Sequence, residues 1–245
     1  MDALKMGEML ARVANNMEAG PLKTELANLA EAIDVVPPKI SDELFGVLIG
    51  MASIKNFKEW AYRAREPPIA LTLGSVDAKK LYEAQVASIF RLIEMGLEMG
   101  QARREMLISL YLKTLISMGE DTAPASYEIT AFRFSVKSIV KALERVAPEM
   151  TETEIAVLLP ALAPSDKLNI IKAVERSSLE GGLSAQIREK LVQALSIILG
   201  DMEATIEMRK EAHGIQTRLT DGKFIRAKPG PQLGPLPMKP VTRKA

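Results

Sequence analysis

The sequence contains no cysteine and a single histidine, His213, among its 245 residues. Without thiols there is no disulfide framework, no thiolate zinc or iron–sulfur site and no cysteine nucleophile. One histidine also leaves multi-histidine metal centres and histidine-based proton relays without their parts. Long hydrophobic runs are missing too. The longest near-continuous one, Leu44 to Ile54, falls well short of the roughly 18–20 residues that span a bilayer. The opening Met1-Asp2-Ala3-Leu4-Lys5 lacks the basic-then-apolar order of a secretory signal. These absences predict a soluble protein that is not secreted, cytoplasmic or carried within a virion, with no transmembrane segment. The lack of cysteine agrees with a reducing compartment.

The enzymatic inventory is equally thin. The sequence holds no G-x-x-x-x-G-K-[ST] phosphate loop, no G-x-G-x-x-G and no G-x-S-x-G. His213 reads as a surface or helix-end residue. Neighbouring acids such as Glu25 and Glu31, or Glu152 and Glu154, read as solvated faces. The expectation is a protein that is not an enzyme, with no catalytic, cofactor-binding or metal-ligating residues.

What the chain does have is helix-forming material. Hydrophobic residues make up 47% of it, with 13 methionines and aromatics at only 4%, a balance that favours helix over strand. The apolar positions Met6, Met9, Leu10, Val13 and Met17 share one helical face, which stops at Gly20. Pro21 suits the first turn of a second helix carrying Leu22, Leu26, Leu29 and Ile33. Pro37-Pro38 ends that helix, and Ser41 or Asp42 caps a third through Leu44, Leu48 and Met51. Gly46 and Gly50 predict close packing of another helix. A further segment covers Asn56 to Arg65.

A long stretch follows from Ser75 or Asp77 to Met118, which Gly96 and Gly100 break in two. Residues 119–125 form a polar loop, the best candidate for a lobe boundary. Between Tyr127 and Val136 the alternation of Phe132, Phe134 and Val136 imitates a strand. A lone strand has no partner, so helix is expected there. Thr151 and Glu154 predict a capping box, Ser165 caps the next helix, and Gly181-Gly182 makes a turn. Ser184 opens a helix closed by Gly200, and a final one reaches about His213. The predicted fold class is all-α: a multi-helix bundle of about ten helices with an extended Pro/Gly-rich basic C-terminal tail.

The formal net charge of +1 hides an asymmetry. Residues 214–245 carry Arg218, Lys223, Arg226, Lys228, Lys239, Arg243 and Lys244 against Asp221, a net +6, which leaves −5 for residues 1–213. An acidic body with a basic tail can attract its own copies, or offer the tail to nucleic acid or to an anionic membrane surface. Residues 1–213 are therefore expected to form a helical body and 214–245 a tail making those contacts.

Within the body, Phe57, Trp60, Ala61 and Ala64 share one helical face, while Lys55, Lys58, Tyr62 and Arg65 form a basic stripe with an aromatic inside it. Such a stripe binds phosphates by charge and offers a ring for stacking. Arg103-Arg104 is a second, weaker candidate for the same role.

Gly20-Pro21-Leu22-Lys23, followed by Glu25 and Ala27, resembles the start of the second helix in influenza-type matrix proteins, which are helical and of similar length. The resemblance covers a short segment, and the strongly basic middle region of those proteins is not reproduced. No residue roles are carried over from it. The expectation is a non-enzymatic helical structural protein that self-assembles, such as a virion shell, matrix or nucleocapsid component, with itself and RNA or DNA as partners. Its rivals are a nucleic-acid-binding protein using the stripe and tail, and a helical adaptor whose proline-rich tail docks a partner domain.

Overall fold

The computed structural model describes residues 3–32, 39–53, 86–87, 89–119 and 126–221. Every regular element among them is helical. In chain order these are α1 (Ala3–Asn16), α2 (Pro21–Ala32), α3 (Asp42–Met51), a helical stretch ending at residue 94, α4 (Gln101–Gly119) and α5 (Ser126–Val146). After a 3-10 turn at Ala147–Glu149 come α6 (Glu152–Leu158), a second 3-10 turn at Leu159–Ala161, α7 (Pro164–Gly181), α8 (Ala185–Gly200) and α9 (Ile206–Asp221). Among the described residues no helix is long and apolar enough to cross a membrane. The segment 54–65 with its stripe, the loop 120–125 and residues 222–245 lie outside the described residues.

The helix boundaries follow local chemistry. Ser41 caps α3 by accepting from the Leu44 amide at 3.0 Å, and Ser184 does the same for Ile187 at 3.1 Å. Thr151 and Glu154 form the predicted capping box. Gly96, at φ +90°, ends the preceding helix as expected. Its amide donates to the Ile93 carbonyl while the Leu97 amide reaches back to Leu92, a pairing that requires a left-handed residue. Segment 126–136 is helical, as predicted, and the phenylalanines that imitate strand alternation flank the buried row of α5.

Two boundaries differ from expectation. Helix α7 begins at Pro164, with the Lys167 amide bonded to the Ala163 carbonyl, so Ser165 lies inside the first turn and is not the cap. Among the described residues, a Cβ at Gly46 or Gly50 would meet nothing within 4 Å. Finally, α9 does not stop near His213 but runs through Gly214 to Asp221. Ala212, Ile215 and Leu219 recur at helical spacing and are almost fully buried. Burying two large aliphatic side chains is worth about 1.5–3 kcal/mol each, which outweighs the roughly 1 kcal/mol helix penalty of one glycine.

One apolar cluster unites the described helices, with Leu10, Leu26, Leu44 and Phe45 at one end of the sequence and Leu191, Leu195, Ile198 and Ile215 at the other. Helix α4 runs through the middle of it, packing on α3, α5 and α6, while α7 packs on α5, α8 and α9.

Candidate nucleic-acid interface

The two arginines singled out at 103–104 are consumed by the fold. Arg103 donates to Asp42 Oδ1 and to the Ile40 carbonyl, each at 2.6 Å, and to Glu98 O at 2.9 Å. Its guanidinium also sits 5.7 Å from the Phe45 ring centre. Arg104 is 7% exposed and donates from Nε to Glu154 Oε1 at 3.1 Å and from Nη1 to the Met99 carbonyl at 2.7 Å. These bonds tie the start of α4 to α3 and to α6. The expectation that Arg103 and Arg104 form a binding surface is therefore corrected: neither is a free surface cation.

The acids read as solvated change role with them. Glu154, 4% exposed, serves both the Arg104 pair and the capping box. Glu25 accepts from the amide and the hydroxyl of Ser41, joining α2 to the start of α3. Arg218, assigned to the tail, lies within α9 and pairs with Glu175 of α7 through two bonds of 2.7 and 2.9 Å. His213 is exposed in mid-helix. Lys55, Lys58, Tyr62 and Arg65, and the tail residues Lys223, Arg226, Lys228, Lys239, Arg243 and Lys244, lie outside the described residues.

A different basic surface emerges on α5. Its buried row runs Ala131, Ser135, Ile139, Leu143. Two residues along, on the opposite side of the helix, Arg133, Lys137, Lys141 and Arg145 are all exposed. Spacing of four places them in one ridge along the helix surface, advancing about 6 Å along the axis per step. Among the described residues none of the four makes an ion pair within 4 Å. The sequence carries this row as an i, i+4, i+8, i+12 pattern that begins within the aromatic alternation of the same segment.

The ridge borders two adjoining depressions between α5 and α7, of about 420 and about 660 Å³, which share Lys141, Glu144 and Asn169. Lys172 and Arg176 of α7 face the larger one, as does Phe90. Lys141 Nζ stands 6.0 Å from the Phe90 ring centre. Cations outnumber acids in the combined lining, where Glu94, Glu144 and Asp166 are the acidic members. Lys172 is held by Glu211 at 2.7 Å, whereas Arg176 has no ion-pair partner among the described residues. Burial raises the Asp166 carboxyl above its ordinary pKa, with the Ser165 hydroxyl opposing through a hydrogen bond. Its repulsion of an incoming phosphate therefore begins to relax at a higher pH than an ordinary aspartate would allow.

An open, cation-lined groove with an aromatic ring in its wall suits a chain of phosphates better than a single reacting group. Among the described residues no three His, Asp or Glu side chains converge as metal ligands. No protein-family model matches the chain, and no curated protein or solved structure matches it either.

Proposed function

We propose that the chain is a non-enzymatic helical structural protein, of the nucleocapsid or matrix kind, that holds nucleic acid along the ridge of α5. The observation that carries this reading is the row Arg133, Lys137, Lys141 and Arg145, exposed and without ion-pair partners among the described residues. Cations that stabilised the fold would be paired, as Arg103, Arg104 and Arg218 are. A regular row beside a groove instead presents charge at intervals of about 6 Å, close to two stacked nucleotides of one strand at about 3.4 Å each.

Fluorescence anisotropy of a labelled single-stranded RNA, measured from 50 to 200 mM salt, tests this. Four phosphate contacts give a log–log salt slope of about −3, or roughly fiftyfold weaker binding across that range. Replacing all four cations with glutamine flattens the slope and leaves the helical circular dichroism signal unchanged. If wild type and variant bind RNA equally, the ridge is a solvated face. If the wild type binds vesicles of anionic lipid and ignores RNA, the polyanion is a membrane.

Self-assembly is the second reading, favoured by Met202, 94% exposed in the turn after α8, and Ile206, 67% exposed at the first residue of α9. Two large exposed apolar side chains four residues apart offer surface that a second copy can cover. Aspartate at both positions is expected to shift sedimentation towards the monomer. An unchanged distribution rules this surface out as the contact.

A further inference from the structure

We propose that a small pocket between α6 and α8 binds a short apolar carboxylate, with Lys167 as its counter-ion. This site is separate from the α5 ridge and does not depend on it. Lys167 stands in the first turn of α7 and is only 6% exposed. Its backbone amide bonds to Ala163, but its ammonium makes no hydrogen bond or ion pair among the described residues. Every other strongly buried charge described, Arg104 and Glu154, is paired. Its ammonium nitrogen is not among the buried side-chain atoms left without a partner, so the small exposure this side chain keeps includes the charge, and an anion reaching it there meets less competing water than at a solvated lysine.

The pocket that Lys167 lines holds about 160 Å³. Its walls are Ile155 and Leu159 from one side and Ala194 and Ile197 from α8, with Lys190 also in the lining. An apolar protein cavity of about 150 Å³ accepts one benzene, so there is space for a ligand of that size. The chemistry of the walls narrows its type. Aliphatic side chains favour a hydrocarbon portion, and two lysines favour one negative charge. A phosphate or sugar would leave most of its polar groups against isoleucine and leucine without partners. Ile197, 56% exposed, supplies apolar surface that the ligand would cover.

Calorimetric titration of the full chain with pentanoate, pentanol and inorganic phosphate tests the assignment. Pentanoate should bind at least tenfold more tightly than pentanol, and phosphate should not compete. Lys167→Met keeps the aliphatic stem and should erase the tenfold preference. Methyl resonances of Ile155 and Ile197 in the unmodified protein provide a readout that needs no variant: they should shift on adding pentanoate, saturably, and much less with pentanol. Equal affinity for acid and alcohol overturns the proposal, as does unchanged pentanoate affinity in Lys167→Met or the absence of saturable methyl shifts. Competition by phosphate at comparable concentration would reduce the site to a general anion contact and equally overturn it.

Discussion

Helices α4 and α5 each carry cations, and the fold uses them in opposite ways. On α4, Arg103 and Arg104 follow the turn made by Gly96, and their guanidinium groups reach back to Asp42, Glu154 and nearby carbonyls. On α5, the cations lie on the side away from the buried row, and none of the four has an ion-pair partner among the described residues. The difference shows that a pair of adjacent arginines is a poorer sign of a binding surface than a periodic row. Adjacent residues point about 100° apart around a helix, so they cannot both face one flat ligand. Residues spaced by four can line up along one.

The sharpest way to break this contrast is to remove Arg104. Arg104→Ala leaves Glu154 buried without its charge partner, and the expected loss is about 3–5 kcal/mol of stability, read from the urea midpoint at constant slope. A loss below 1 kcal/mol would mean that the pair is no more committed to the fold than the ridge.

Tyr111, seven residues on and facing the core with Arg104, gives a second, pH-dependent test. It is 2% exposed, its hydroxyl donates to the Ala161 carbonyl at 3.3 Å, and burial lifts its pKa to about 12 with Asp166 adding to the shift. Because the folded value lies above the unfolded value near 10, the folded state holds the proton longer. The associated stability is fully present below about pH 10 and is lost as pH rises towards 12, a loss of about 2–3 kcal/mol. Urea melts at pH 8, 10 and 11.5 should show this fall in wild type, and Tyr111→Phe should reduce it by that amount. Parallel curves for the two proteins would show that the ring does not titrate differently in the two states.

Arg218 lies between the extremes, paired with Glu175 but 44% exposed. Arg218→Ala should cost only roughly 0.2–1 kcal/mol, because solvent screens an exposed pair. The smallest effect on stability belongs to the ridge itself, where each glutamine should change folding by no more than roughly 0.5 kcal/mol. A ridge variant that unfolds would erase the distinction between the two helices.

Much of the helix map is legible from the chain alone. Ser41, Thr151 and Ser184 announce helix starts, because a hydroxyl or a capping box satisfies amides that the helix leaves open. Gly96 announces a stop because it adopts a positive φ cheaply. The end of α9 was not legible: Gly214 looks like a terminator until Ile215 and Leu219 are seen to be buried. The ridge was half legible. Its spacing stands in the sequence, but whether those cations have partners depends on which helix packs opposite.

The sequence by itself determined the all-α class and the positions of most caps, since propensity, periodicity and capping act over a few neighbouring residues. Tertiary structure alone decided which charges are spent and which are free. Glu25 and Glu154 look alike as solvated acids in the chain, yet one joins α2 to Ser41 and the other neutralises Arg104 fifty residues away. Ion pairs of that kind join distant segments, and only packing brings the two charges within bonding reach while excluding the water that would otherwise screen them.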